Sequence, residues 1–276
     1  MPLTEEPWLE ILRPAAPTGR VRYALFDFDG TLSVIRRGWE RIMSSLMIEM
    51  ISDGTSIPLG VESLVEDYID RSTGILTIQQ MKWLEETVRR FGRARSVLTA
   101  SEYKKIYNER LLKSVRMRIQ NRSGGREARD ALMIAGARAF LEGLSARGVR
   151  LFLASGTDHE YVLAEAAALG IADFFDERIY GARGDSEDDS KEMVIRRILS
   201  GNHLQGPELL VVGDGPVEIR YACQVGAVTL GVAADEDTRQ TLNPRKRARL
   251  VAAHADFIIA NFLHANELII LFCGRQ

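Results

Sequence analysis

Cysteine, excess charge and long apolar runs are all scarce in this sequence, and each scarcity excludes a class of protein. The chain has two cysteines, Cys223 and Cys273, whose spacing fits neither a zinc site nor a disulfide framework. No stretch approaches the run of about 18 apolar residues that a membrane span needs. We therefore expect a protein of a reducing compartment that does not cross a membrane.

The charge balance and the N-terminal composition narrow this expectation. A net charge of -2 indicates neither a nucleic-acid partner nor a membrane partner. Residues 1–20 include Glu5, Glu6 and Trp8 but lack the basic start and apolar run of a signal peptide. These features predict a cytoplasmic protein. The basic cluster at 244–249 predicts a short, solvated helix face.

Apolar residues, 46% of the chain, can form a sizeable core, and their arrangement predicts an α/β fold. Short apolar runs that end in Gly, Asp or Ser are typical of buried parallel strands. They lie at 21–27, 149–155, 208–214, 227–232 and 256–260, with a weaker run at 177–181. Helical stretches separate them, at 139–147, 160–169, 192–199 and 219–224. This alternation predicts a doubly wound parallel sheet.

The interval 35–129 differs because it lacks convincing strands and carries helical stripes of apolar residues. At roughly ninety residues it is far longer than an ordinary loop, so we expect an inserted all-helical cap domain. The predicted organisation is an N-terminal extension at 1–20, a core domain formed by 21–34 and 130–276, and a cap at 35–129.

Two carboxylates, Asp27 and Asp29, stand where the first predicted strand gives way to a Gly turn. Burying two charges there without a purpose would be unfavourable. Ligands bind at the carboxyl ends of strands in open α/β sheets, so both residues stand where a site is expected. By itself the pattern could also be a turn cap or a fragment of a calcium loop.

Three later features add to the pattern. Ser155 and Gly156 end the second strand just before a helix, which suits an anion, although Ser-Gly is more often an N-cap. Lys191 opens the next helix, where a solvated charge is the ordinary interpretation. Asp214 ends another strand, and Glu218 follows four residues later.

In this order and at these positions, the four features resemble the motifs of the haloacid dehalogenase superfamily: Asp-x-Asp-Gly-Thr, a strand-end Ser, a downstream Lys, and Gly-Asp-x-x-x-(Asp/Glu). The resemblance spans about 21–260 and is closest to the phosphatases with a helical cap, such as phosphoglycolate phosphatase, and to beta-phosphoglucomutase. It implies a Rossmann-like core, with the cap inserted after the first motif.

The resemblance also implies roles for the motif residues. Asp27 would be the nucleophile that forms an aspartyl-phosphate, and Asp29 the acid and base that protonates the leaving oxygen and activates water. Mg²⁺ would be held by Asp27, the Asp29 main-chain carbonyl and Asp214, with Glu218 behind these ligands. The residues implied to hold the phosphate are Thr31, Ser155, Gly156 and Lys191.

The cap selects the substrate in this family, so the candidates for specificity are Arg36, Arg37 and Trp39, with Arg71 and Lys82 further along. An enclosed site suits a small phosphorylated metabolite, such as a sugar phosphate or phosphoglycolate, and the chain would be a monomer or a homodimer. Three alternatives stay open: a sugar-phosphate mutase, a phosphonatase that uses Lys82, and a binding module without activity.

Overall fold

The computed structural model describes residues 8–92, 96–121, 124–184 and 190–275. Seven strands lie in these ranges: β1 (Leu9–Ile11), β2 (Tyr23–Asp27), β3 (Arg150–Asp158), β4 (Ile179–Ala182), β5 (Leu209–Gly213), β6 (Val228–Val232) and β7 (Phe257–Ile259). They form one sheet in the order β1-β7-β6-β5-β2-β3-β4. All neighbouring pairs are parallel except β1 and β7. The predicted α/β fold is therefore confirmed, with an antiparallel edge strand added.

Helices fill the intervals between the strands. In the described residues they are α1 (Trp39–Ser52), α2 (Val61–Ser72), α3 (Thr77–Phe91), α4 (Ala100–Asn121), α5 (Arg126–Asp130), α6 (Ala137–Ala146), α7 (His159–Leu169), α8 (Lys191–Gly201), α9 (Pro216–Gln224), α10 (Pro244–Ala252) and α11 (Ala265–Cys273). No described helix has both the length and the apolar character that crossing a bilayer requires.

The central strand β2 shows why helices cover both faces of the sheet. Its side chains alternate, so Ala24 and Phe26 join a different apolar cluster from Leu25. Phe26 meets the ring of Phe140 on α6 edge to face, with ring centroids 6.0 Å apart. Leu25 shares its cluster with Val194 on α8. A strand with both faces buried is apolar throughout, which is why the sequence run was recognisable.

Helices α1 to α4 follow β2 in the sequence and precede β3. Their apolar stripes lie inward, as the helical spacing predicted: among the buried residues are Met81, Leu84 and Val88 of α3 and Tyr107 and Leu111 of α4. The four helices pack on one another through α1–α2, α3–α4 and α1–α4 contacts. The limits of the cap at 35 and 129 stay a prediction.

The N-terminal segment is anchored from Trp8 onward. The Trp8 ring stacks on His264 with centroids 4.5 Å apart, and β1 pairs with β7 in the register Leu9 to Ile259. This strand covers an edge of the sheet that would otherwise present unpaired backbone groups.

Candidate active site

The parallel sheet brings Asp27, Ser155 and Asp214 to the same end of neighbouring strands. Strand β2 lies between β3 and β5, with Asp27 opposite Ala154 and Phe26 opposite Val212. The carboxyl ends of these three strands therefore meet, with Asp27 ending β2 and Asp214 following β5. Ser155 was predicted to end its strand just before a helix, but β3 continues to Asp158 and α7 begins at His159.

Asp27 is 5% exposed and is held by two partners. The Thr31 hydroxyl donates a hydrogen bond to Asp27 Oδ2 over 3.1 Å, and the Lys191 ammonium lies 2.6 Å from Oδ1. Lys191 is the first residue of α8, whose N-cap is Ser190. Thr31 thus contacts the carboxylate in this structure, while its predicted contact with phosphate stays a prediction.

Three buried carboxylates lie beside Lys191 and are called the acidic cluster below. Asp27, Asp214 and Glu218 each offer an oxygen within 4.8 Å of the others. Glu218 sits in the first turn of α9, where Oε1 accepts the Gly215 N–H over 3.0 Å and Oε2 lies 3.1 Å from Lys191 Nζ. Oxygen donors gathered in this way suit a hard divalent cation, so the residues fit Mg²⁺.

Asp29 lies in the same cavity with a different set of partners. Its Oδ2 accepts hydrogen bonds from Ser155 Oγ (3.2 Å) and Thr157 Oγ1 (3.3 Å). Its Oδ1 is buried and accepts no hydrogen bond from any described residue. One oxygen therefore orients the carboxyl while the other is available for proton exchange. Thr157 was not among the predicted site residues.

Arg36 lies near Asp29 and is held in position by a second acid, Glu165. Its Nε lies 3.8 Å from Asp29 Oδ1, and its guanidinium donates to both oxygens of Glu165 over 2.7 to 3.1 Å. Glu165 is buried on α7. Glu165 was not among the predicted site residues, because a single acid inside a helical stretch gives no local sign that it faces a site.

The basic cluster at 244–249 lies on a helix with Arg245 exposed, as predicted, but Lys246 departs from the solvated face. Lys246 is 5% exposed, and its ammonium lies 2.7 Å from Asp214 Oδ2 and 2.8 Å from Glu236 Oε1. The prediction was wrong for this lysine, because α10 directs it toward the buried Asp214 and the partly buried Glu236. The lysine's ion pairs offset the free energy that its burial would otherwise cost.

Burial and charge act in opposite directions on these acids. Burial raises the pKa of Asp27, and the Lys191 ammonium offsets only part of the rise. Burial likewise raises the pKa of Asp29 against the opposing influence of Arg36. At Asp214 the balance reverses: burial favours the neutral acid, but Lys246 and Arg249 hold the pKa below its usual value. The cavity therefore holds acids of differing proton affinity.

A cavity of about 60 Å³ joins these groups, and a loop between α2 and α3 covers it. This loop contributes Thr73, Gly74 and Ile75 to the lining. Gly156 allows the close approach, because a Cβ at this position would lie 2.2 Å from the Ile75 carbonyl oxygen. The remaining lining residues are Asp27, Asp29, Arg36, Trp39, Thr77, Gln80, Tyr107, Ser155, Thr157, Lys191 and Asp214.

Not every candidate for specificity reaches the cavity. Arg36 and Trp39 line it, but Arg37 lies in a neighbouring charged cleft, 3.4 Å from Asp237. Arg71 is exposed and donates to the Asp67 carbonyl, and Lys82 is exposed on α3. The cap lysine that a phosphonatase needs is therefore not supplied by Lys82.

Comparisons with known proteins agree with this geometry. A family model described as haloacid dehalogenase-like hydrolase matches residues 21–226, which contain all four motifs. No curated protein matches the sequence significantly.

Solved structures share the fold at low sequence identity. A predicted phosphatase from Clostridium acetobutylicum is 18% identical, with a TM-score of 0.57 over 91% of this chain and 99% of its own. A predicted phosphoglycolate phosphatase from Haemophilus somnus is 18% identical, with a TM-score of 0.58 over 90% and 98%. A predicted beta-phosphoglucomutase from Bacteroides vulgatus is 15% identical, with a TM-score of 0.57 over 91% and 88%.

Proposed function

Because the chain belongs to the haloacid dehalogenase-like hydrolase family, we propose that it is a magnesium-dependent phosphohydrolase acting on a small phosphorylated metabolite through an aspartyl-phosphate. The observation that carries the proposal is the position of Asp27. Its carboxylate belongs to the acidic cluster, contacts Lys191 at 2.6 Å and lines the same cavity as Asp29.

The residues divide the reaction into two steps. An oxygen of Asp27 attacks phosphorus, the bond to the leaving oxygen breaks, and Asp29 donates its proton to that oxygen. Water then attacks the aspartyl-phosphate, Asp29 takes a proton from it, and phosphate leaves with Asp27 regenerated. The raised pKa of Asp29 suits the first role, because the acid keeps its proton until the leaving group needs it.

The phosphoryl group needs positive charge around it, since its transition state spreads negative charge over the oxygens. Lys191 supplies an ammonium at Asp27, and Ser155 and Gly156 line the cavity beside it. Mg²⁺ bound by Asp27, Asp214 and the Asp29 carbonyl, with Glu218 behind them, would supply the remaining positive charge. The small cavity under the loop at Thr73 to Ile75 supports a small leaving group.

A panel of phosphorylated metabolites tests the proposal. We expect phosphate release with Mg²⁺ at about 1 per second or faster for a good substrate. Chelation should reduce the rate to background and added Mg²⁺ should restore it. Release that persists after chelation, or none on any substrate, would contradict the proposal. Hexose 1-phosphates distinguish the mutase alternative, which predicts isomer formation without free phosphate.

The contact between Arg36 and Asp29 predicts opposite pH shifts in two variants. Asp29 must be protonated for the first step, so kcat/KM falls as pH rises through its pKa. Arg36 favours the ionised form of Asp29. Arg36→Met should therefore raise this pKa and move the alkaline limb of kcat/KM to higher pH. Glu165→Gln removes a negative charge and should move the limb to lower pH.

The matched control is the double variant, which removes both members of the ion pair. Its alkaline limb should lie between those of the single variants, because the two changes act on Asp29 in opposite directions. Shifts of the same sign in both single variants would show that the pair does not act through Asp29. Circular dichroism of each variant checks that the buried pair's removal leaves the fold intact.

A further inference from the structure

Among the described residues, Lys246 is the one cation outside the four motifs that contacts the acidic cluster. It lies beyond residue 226, where the match to the family model ends. Besides Asp214 and Glu236, the Lys246 ammonium lies 3.5 Å from the Gly30 carbonyl oxygen. A Cβ at Gly30 would be 2.7 Å from this ammonium and 2.4 Å from Asp214 Oδ2. The ion pair thus lies directly against the backbone that follows Asp29.

The segment between β6 and α10 fixes the position of Lys246. Asn243 donates its N–H to the Ala233 carbonyl over 2.7 Å and caps α10 by accepting the N–H of Lys246 over 3.1 Å. The Asp235 N–H donates to the Thr241 carbonyl over 2.9 Å. These bonds tie both ends of the segment together, so Lys246 reaches Asp214 with Glu236 held beside its ammonium.

We propose that Lys246 is a built-in competitor of the divalent cation, because its ammonium engages an oxygen of Asp214 and lowers the affinity of the acidic cluster for Mg²⁺. This inference rests on the proposed function, which assigns Asp214 to the metal. Two positive charges that share a carboxylate in a buried site repel each other, and the repulsion is poorly screened. Glu236 limits the repulsion by neutralising part of the ammonium's charge.

The arrangement has a consequence for the order of binding. An ammonium beside the cluster makes the metal-free protein stable by giving Asp214 a counter-ion. A phosphate dianion that entered the cavity would offset the repulsion between Lys246 and the metal. Mg²⁺ and the phosphorylated substrate should therefore favour each other's binding.

The test measures Mg²⁺ binding to the metal-stripped, full-length protein by isothermal titration calorimetry without substrate. Lys246→Met should bind Mg²⁺ about ten-fold more tightly than the wild type, or tighter still, because the competing charge is gone. Glu236→Gln should bind it more weakly, because the ammonium is then less neutralised. Arg245→Met is the matched control, since this neighbour pairs with Asp70 instead and is 56% exposed. Its affinity should equal that of the wild type.

Weaker or unchanged binding in Lys246→Met would overturn the inference and would mean that the lysine only holds Asp214 in place. If that variant fails to fold, Glu236→Gln decides, because it is isosteric and predicts a loss of affinity; equal or tighter binding there overturns the inference. A wild type that binds no Mg²⁺ and releases no phosphate would instead contradict the proposed function. The two failures are therefore distinguishable.

Discussion

Asp27→Asn should abolish turnover, with a loss of at least about 10⁴-fold in kcat, while the protein still folds. An amide occupies the same volume at the end of β2. Its oxygen can accept from the Lys191 ammonium while its NH2 donates to the Thr31 hydroxyl, so the local structure should persist. It cannot attack phosphorus as a carboxylate does, and no aspartyl-phosphate can form. Steady-state phosphate release measures the loss, and thermal unfolding checks the fold.

A trapping experiment separates the covalent step from binding. The wild type quenched in acid during turnover should carry one phosphoryl group in a peptide that contains Asp27, detected by mass spectrometry. Asp29→Asn is the matched control, because it keeps the nucleophile but loses the group that serves both steps. It should retain a slow phosphorylation that Asp27→Asn lacks. Phosphorylation of Asp27→Asn at another residue would show that the nucleophile had been misassigned.

The sequence permits prediction of the residues that stand at or near the carboxyl ends of strands. Asp27, Ser155 and Asp214 each follow a short apolar run, and parallel strands bring their carboxyl ends to one edge. A site assembled in this way needs only the strand pattern and the order of the motifs. The helical stripes of the inserted segment were also predictable, because the spacing of apolar residues along a helix can be recognised within a short stretch of sequence.

Residues that depend on tertiary packing could not be found in this way. Glu165 lies among alanines in α7 and Lys246 lies within a basic stretch of α10. Neither setting indicates which side of the helix faces the cavity. Their burial follows from how α7 and α10 are placed against the cavity. The short strand β1 was also missed, because its three residues show too little alternation to mark an edge strand. Each miss concerns a contact between segments distant in sequence.

Arg37 was predicted as a specificity residue together with its neighbour Arg36, but only Arg36 lines the cavity. Arg36 points into the cavity and is buried, whereas Arg37 is 41% exposed and pairs with Asp237. The two residues lie in a turn, where successive side chains diverge. A sequence window therefore cannot decide which of two adjacent arginines faces the substrate.

Lys191→Met should lower both activity and metal-free stability. The ammonium lies between the buried carboxylates of Asp27 and Glu218. Its loss removes charge stabilisation from the phosphoryl transition state and should lower kcat by about 10² to 10³-fold. It also leaves two buried acids without a counter-ion, which should cost about 3 to 5 kcal/mol in the free energy of unfolding. Kinetics and urea unfolding in the presence of a chelator measure the two effects.

Added Mg²⁺ distinguishes the loss of a counter-ion in Lys191→Met from a general loss of packing. A divalent cation bound by the acidic cluster would replace the missing positive charge, so Mg²⁺ should stabilise Lys191→Met more than it stabilises the wild type. Lys104→Met is the control, because its ion pair with Asp158 lies outside the cavity and is partly exposed. We expect that variant to lose about 1 kcal/mol or less and to gain no extra stability from Mg²⁺. Equal stabilisation of all three proteins by Mg²⁺ would mean that Lys191 and the metal do not share the same carboxylates.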